Sequence, residues 1–296
     1  MARLTEQFLQ LYSVPVYTVL IAAEALISNF RKQSFYSWKE SIINLYLNIL
    51  NAGVDMLLRV VIGFAMLQFV YQYHLPIAWH PVAYWIVLLL GEDLLFWLEH
   101  YVDHSCRLFW AVHVTHHSSP EYNLSTGFRS SVFMPVYKYF YFIPLVLLGF
   151  APLDVMLMFS LTQIYGILVH TQYVKTMPAW IEYLFVTPSH HRVHHASNIP
   201  YLDKNMGMVF IVWDRLFGTF QKEMPDEVPH YGITKPVAKP HHPVHIVTHE
   251  WQEIAKDLRK PLPFSTRLKY LLRPPGWSHD GSTKTTKELQ KEQHCS

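Results

Sequence analysis

Long apolar runs separated by short polar links cover most of the chain. A helix that crosses a membrane needs about 20 predominantly apolar residues. Five runs approach this length, at residues 11–30, 52–73, 81–98, 132–150 and 153–173. The last two are separated by a tight turn at Gly149 and Pro152, which predicts a membrane hairpin. The pattern therefore predicts an all-α, polytopic membrane helix bundle of about five spans.

Lys and Arg in the short links predict the orientation of this bundle. Residues 31–41 contain three of these basic residues, whereas the links 74–80 and 149–152 contain none. We therefore expect the N-terminus outside the cytosol and residues 100–131 and 174–296 within it. The first run is interpreted as a retained span, because no small-residue cleavage site follows a short apolar core.

The chain is predicted to divide into three parts. Residues 1–220 form the membrane domain, and residues 221–277 form a cytosolic C-terminal cap or extension. Residues 278–296 contain too few apolar side chains to pack and are expected to be disordered.

Composition excludes several classes of protein. Charged residues make up only 16% of the chain, against about 25% in soluble domains. The net charge is +2 and the basic residues are spread out, so we expect no nucleic-acid partner. Two cysteines cannot form a disulfide framework or a cysteine-based zinc site.

Histidine is the anomalous residue, with 19 copies that mostly cluster. Three groups have helical spacings of three and four residues: His100 and His104; His113, His116 and His117; His191, His194 and His195. The 73 residues between the second and third groups can cross the membrane twice and return. The three groups are therefore predicted to converge on one side, in the cytosolic helical part of the protein.

Eight imidazoles are too many for one tetrahedral zinc ion, which takes four ligands. They suit two metal ions, and two redox metals side by side can share the electrons that O2 must receive. The sequence thus predicts a histidine-rich di-metal site. Two alternatives stay open, a histidine-rich membrane metal transporter and a metal-binding protein without oxygenase activity.

Longer motifs surround these histidines. They are Trp110-Ala-Val-His113, His117-Ser-Ser-Pro-Glu-Tyr-Asn-Leu-Ser-Thr126, Thr187-Pro-Ser-His-His-Arg-Val-His-His195, Asp203-Lys-Asn205 and Trp213-Asp-Arg-Leu-Phe-Gly-Thr-Phe220. Over roughly residues 11–220 the chain resembles the fatty acid hydroxylase and sterol desaturase superfamily of membrane di-iron enzymes, and the motifs resemble its alkylglycerol monooxygenase-like branch. The acid that ether-cleaving members carry after the second histidine is Ser105 here.

The resemblance implies two iron ions, O2 as co-substrate and an external electron donor, either a protein or a reduced pterin. It implies hydroxylation or desaturation of a membrane lipid: a sterol, a fatty acyl chain or an ether lipid. It also implies that His170 is a further metal ligand. The oligomeric state and the identity of the donor stay open.

Asp93 is predicted to support the metal site without binding metal. It lies two helical turns before His100, where the family pattern also places an acid, and metal-bound histidines usually donate their second ring N–H to a carboxylate or carbonyl. His190 and the later histidines 241, 242, 245 and 249 are expected to lie outside the site, the last four because Pro243 interrupts their helix.

Overall fold

The computed structural model describes residues 2–295, so Met1 and Ser296 lie outside the described residues. Over this range the fold is all-helical, with two isolated β-bridges, as the sequence predicts. The α-helices are α1 (Ala2–Phe30), α2 (Trp38–Leu58), α3 (Ala65–Tyr71), α4 (Pro81–Ser105), α5 (Arg107–His117), α6 (Lys138–Tyr141), α7 (Ile143–Leu147), α8 (Pro152–Leu168), α9 (Ala179–Leu184), α10 (Pro188–His194), α11 (Val212–Phe217), α12 (Pro243–Leu258), α13 (Phe264–Leu272) and α14 (Thr286–Cys295).

Three helical stretches in the described residues are long and apolar enough to cross a membrane: Leu11–Phe30, Trp38–Tyr71 and Pro81–Ser105. The first matches its prediction. The second begins well before residue 52, because Ser37 caps the helix by accepting a hydrogen bond from the Glu40 amide, and a π-helical segment, Arg59–Phe64, joins α2 to α3. Large apolar side chains stay exposed on these helices, including Leu26 and Met56. Together these features indicate a membrane location.

The predicted hairpin differs from two full spans. Pro135 lies in a short 3-10 turn and Pro144 at the start of α7, so residues 132–150 fold as short helical pieces. Helix α8 has 17 residues and is about 25 Å long, less than the roughly 30 Å of a bilayer core. Both segments contribute to the largest apolar core, with Phe142 and Val155 fully buried. The prediction of five spans is therefore not confirmed.

Contacts at the two ends of the bundle show which links lie together. At one end, Trp79 in the link 74–80 donates to the carbonyl of Leu148 at 3.1 Å, beside the hairpin turn. At the other end, the Ser37 amide donates to the carboxylate of Glu121 at 2.9 Å. The basic link therefore lies on the same side as the histidine-bearing segments.

The C-terminal extension packs against the histidine-bearing helices. Arg107 at the start of α5 pairs with Glu250 of α12 at 2.7 Å. The tail that we expected to be disordered is helical over Thr286–Cys295, and Gln290 there donates to two backbone carbonyls within residues 199–202. Specific polar contacts hold this segment, which apolar content alone could not indicate.

Candidate metal centre

The structure brings together all nine histidines that the sequence predicts. They form two groups, and within each group one nitrogen per ring lies within 4.8 Å of every other. The five-histidine group consists of His100, His104, His113, His117 and His194, and the four-histidine group of His116, His170, His191 and His195. All are buried except His116, which is partly buried.

Each His-x2-His-His motif is divided between the two groups. On α5, His113 and His117 enter the five-histidine group, while His116 enters the four-histidine group. At α10, His191 and His195 enter the four-histidine group, while the intervening His194 enters the other. Residues four apart share a helix face and the residue at the third position is offset from it. One short motif can therefore serve two neighbouring metal positions.

Local structure at two points directs the histidines inward. Cys106 has an extended backbone between α4 and α5, so the chain turns there and the two helices pack side by side. Helix α10 begins at Thr187, whose hydroxyl accepts from the His190 amide, and Pro188 occupies the first turn. A capping side chain followed by proline in the first turn is a favourable helix start.

Backbone carbonyls fix the protonation of four rings. The Nδ1 atoms of His100, His116, His170 and His194 lie 2.7–3.0 Å from the carbonyls of Met206, Arg129, Gly166 and Lys204. A carbonyl can only accept a hydrogen bond, so each Nδ1 carries the proton. In a neutral ring the opposite nitrogen, Nε2, then holds a lone pair that points into the centre.

The ring nitrogens of each group lie in direct contact with one another. Nε2 of His113 lies 3.0 Å from Nε2 of His100 and 3.1 Å from that of His117. Nε2 of His170 lies 3.0 Å from Nε2 of His191 and 3.1 Å from that of His195. Since Nε2 of His100 and of His170 carries a lone pair, and a cation among such nitrogens would accept it, the donor atoms fit a metal ion in each group.

Burial keeps these rings neutral, which is the form that binds metal. It lowers the pKa of His116 to about 4. Burial, and then the neighbouring imidazoles, hold the pKa of His117 and His195 well below the usual histidine range. Nε2 of His194 is buried with no hydrogen-bond partner among the described residues. A metal ion bound in the five-histidine group would satisfy this nitrogen.

Carboxylates lie beside two rings of the five-histidine group. Nδ1 of His104 lies 3.1 Å from Asp203. Nδ1 of His113 lies 3.5 Å from Asp103, too far for a hydrogen bond, and the other oxygen of Asp103 accepts from the Tyr137 hydroxyl. The sequence places Asp203 in a family motif without assigning it a role, and Asp103 was not singled out. Asp103 stands within the first histidine motif and could have been noticed, but Asp203 comes from a distant loop.

Asp93 does not have the predicted contact with His100. Its carboxylate accepts hydrogen bonds from the amides of Val209 and Phe210 and from the indole of Trp213. The helical spacing indicated the correct face, but the loop around residues 206–210 lies there as well. That loop supplies the Met206 carbonyl to His100, so Asp93 supports the ring through the loop.

Among the described residues, His190, His241, His242, His245 and His249 belong to neither group. His190 is buried and not solvated, since its ring contacts Glu182 at 3.0 Å and its Nδ1 lies near the Phe185 carbonyl. His241 pairs with Glu40 at 2.9 Å. His170, by contrast, is a full member of the four-histidine group.

Arg129 is a supporting residue that the sequence did not reveal. Its side chain is fully buried, and it donates to the Thr115 carbonyl at 2.9 Å and to Glu40 at 3.0 Å. Its own carbonyl accepts from His116. The partner Glu40 is 89 positions away, so no local pattern could indicate the pair.

Two cavities reach the centre from different directions. The inner cavity, about 120 Å³, lies among α2, α4 and α8 and touches His100, His113, His116, His170 and His191. The outer cavity, about 780 Å³, lies under the C-terminal extension and touches His104, His117, His194 and His195. Phe96, Phe159 and Ile167 line the inner cavity, whereas charged side chains such as Lys235 and Glu250 line the outer one.

Comparisons with known proteins agree with this centre. The family model for fatty acid hydroxylase matches residues 85–219, which contain all nine histidines. Alkylglycerol monooxygenase from Homo sapiens is 35% identical over 208 residues, covering 69% of this chain and 44% of that protein. The Caenorhabditis elegans protein of the same name is 33% identical, covering 69% of this chain and 41% of its own length.

The chain is also similar to a bacterial lipid hydroxylase. The ornithine lipid hydroxylase OlsE of Rhizobium tropici is 33% identical over 171 residues, covering 55% of this chain and 50% of that protein. The chain thus spans half or less of the length of these three relatives. No solved structure matches it. The family match and the relatives show that the chain contains a fatty acid hydroxylase domain, at residues 85–219.

Proposed function

We propose that this protein is an integral membrane non-haem di-iron oxidoreductase that uses O2 to hydroxylate or desaturate a C–H bond of a lipid. The observation that carries the proposal is the pair of histidine groups whose buried lone pairs converge. The relatives named monooxygenase and hydroxylase support the reaction type. Their names make ether lipids and ornithine lipids the first substrate classes to test.

The five-histidine group would hold one iron ion and the four-histidine group the other. Imidazole suits iron, and an adjacent pair of redox-active ions, when bound, supplies the oxidising power that an unactivated C–H bond requires. Hydroxylation consumes one O2, two electrons and two protons and yields the alcohol and one water. Desaturation consumes the same reagents and yields the alkene and two waters. Both need an external electron donor.

The chain's own residues orient the histidine rings, exclude bulk water and would bind the lipid chain. Carbonyls such as those of Met206 and Gly166 fix the tautomers of four rings, so Nε2 of each of these rings is free to bind metal before metal arrives. Burial of the rings excludes bulk water. Phe96 and Phe159 in the inner cavity would hold the lipid chain beside the histidines, with entry sideways from the bilayer between the helices.

The outer cavity provides the opposite approach. Charged side chains in its lining, such as Lys235 and Glu250, suit water-soluble reactants, and we propose that electrons and protons arrive from this side. We also propose that this side faces the cytosol, with the N-terminus outside. The contact between Ser37 and Glu121 supports this orientation, because it holds the Lys- and Arg-bearing link next to the histidine segments.

Expression of the wild type, His113→Ala and His191→Ala in cells grown with and without O2 tests the proposal. We expect O2-dependent oxidised lipids only with the wild type, together with a loss of iron from both purified variants. His80→Ala is the matched control, because His80 is exposed at the far end of α4. Full lipid oxidation by the His113 or His191 variant would contradict the proposal, and so would metal uptake into proteoliposomes without any oxidised lipid.

A further inference from the structure

Met208 occupies a special place in the inner cavity. It lines the cavity together with Gly166, His170 and His191, and it is only partly buried because the cavity exposes it. Its thioether lies against α8 at Gly166, one helical turn before His170. A Cβ atom on Gly166 would come within 2.1 Å of the Met208 sulfur. The glycine therefore leaves the space that the methionine side chain fills.

The backbone on both sides of Met208 is held by buried acids. Before it, the amides of Met206 and Gly207 donate to Asp214 at 2.7 and 2.8 Å. After it, the Val209 amide donates to Asp93 at 2.8 Å. Both acids are fully buried. The loop cannot shift without leaving a buried carboxylate unpaired, which is costly, so Met208 projects into the cavity from a fixed position.

The cavity is small enough for one side chain to matter. Its volume of about 120 Å³ can take a short segment of a lipid beside the histidines, not a whole chain. Met134 and Met208 are the longest flexible apolar side chains in its lining, and Met208 lies against Gly166, one turn before His170 of the four-histidine group. An enzyme distinguishes apolar substrates that differ by one methylene by about tenfold or more through such contacts.

We propose that Met208 is a specificity-determining residue, an inference that rests on the proposed function. Its thioether limits how far a lipid chain passes the four-histidine group. It thereby selects which chain shapes are accepted and which carbon is oxidised. Gly166 is its partner, since it makes room for the thioether. The acids Asp93 and Asp214 act only as positioning residues for the loop that carries Met208.

Met208→Ala, Met208→Phe and Met208→Leu test this with synthetic alkylglycerols whose alkyl chains are straight or methyl-branched. We expect Met208→Ala to raise the ratio of kcat/KM for branched over straight chains by about tenfold and to move the oxidised position. Met208→Phe should lower that ratio. Met208→Leu, which conserves volume, should behave like the wild type.

A binding measurement accompanies turnover. The shift in melting temperature that each lipid produces in the metal-free variants should follow the same order of preference. Met56→Ala is the matched control, because Met56 is 73% exposed on α2, away from the cavity. The pair Gly166→Ala and Gly166→Ala with Met208→Ala adds a cycle: the first should displace the thioether and the second should relieve the clash.

The outcomes separate two failures. A wild type without any O2-dependent product overturns the proposed function and the role of Met208 with it. An active wild type with unchanged products and lipid preferences in Met208→Ala and Met208→Phe, both retaining wild-type iron content, overturns the role of Met208 alone.

Discussion

The two histidine groups differ in their support and in what they face. The five-histidine group has carboxylates beside His104 and His113, and three of its rings line the outer cavity while the other two line the inner one. In the four-histidine group, Nδ1 of His116 and of His170 donates to a backbone carbonyl, and three of its rings line the inner cavity.

This difference suggests that the two histidine groups have different roles in one centre. Five imidazoles and two nearby carboxylates leave little room for a further ligand and stabilise a strongly held cation. Four imidazoles would leave room for further ligands on a bound ion, and three of these rings line the inner cavity, where a lipid would lie. We infer that the four-histidine group is where O2 and the lipid C–H bond meet, and that the five-histidine group is the partner nearer to the reductant.

The largest expected effect comes from removing one histidine of each group. His113→Ala and His191→Ala should each lower lipid oxidation by several orders of magnitude, because neither iron alone supports the reaction. Iron analysis sharpens the comparison: His191→Ala should retain about one iron per chain in the better supported group, and His113→Ala should retain less. Equal retention in the two variants would contradict the proposed difference.

The next effect concerns Arg129, whose carbonyl orients His116. Arg129→Met leaves Glu40 buried without its main cationic partner and should lower the free energy of unfolding by about 3–5 kcal/mol. Chemical denaturation in detergent measures this change. The double variant with Glu40→Gln should recover part of the loss, and iron should leave the four-histidine group first. An unchanged unfolding free energy would show that the pair is not buried in the folded protein.

A smaller effect is expected from the carboxylates of the five-histidine group. Asp103→Asn should weaken iron binding by about 10- to 100-fold, the usual consequence of losing an acid behind a histidine ligand. Competition with a chelator measures the affinity. Asp93→Asn is the informative comparison: since Asp93 contacts loop amides, it should alter lipid selectivity through Met208 more than iron affinity. If Asp93→Asn lowered iron affinity more than it altered lipid selectivity, that result would support the predicted contact of Asp93 with His100.

The smallest effect is expected at α14, which lines the outer cavity. Gln290→Ala removes two hydrogen bonds that anchor α14 and should cost about 1 kcal/mol locally. A water-soluble chelator should then extract iron faster, while the pattern of oxidised lipids stays the same. Lys291→Ala, exposed on the same helix, is the control. A changed lipid pattern would contradict the separation of the two cavities.

The sequence predicted the centre better than the spans. Histidine spacings of three and four on α5 and α10 are local, so periodicity and a return of the chain to the same side were enough to predict that eight rings converge. His170 was expected only from the family resemblance. The division of His113, His116 and His117 between two groups was missed, because a helix face was treated as a single direction.

The errors share one cause, which is dependence on tertiary contacts. Pro135 and Pro144 break a run whose hydropathy resembles a span. Asp93 lies on the predicted face but meets a loop that no sequence spacing could place there. Asp203 contacts a ring 99 residues earlier, and Arg129 pairs with Glu40, 89 residues earlier. The helix Thr286–Cys295 is likewise held by carbonyls almost 90 residues earlier.

Mössbauer spectroscopy of the purified protein loaded with ⁵⁷Fe tests the central claim most directly. It should detect two iron ions per chain in equal amounts and in distinct ligand environments, one of which is lost in His191→Ala. A single iron environment, less than one iron per chain under full loading, or a spectrum unchanged in His191→Ala would contradict the account.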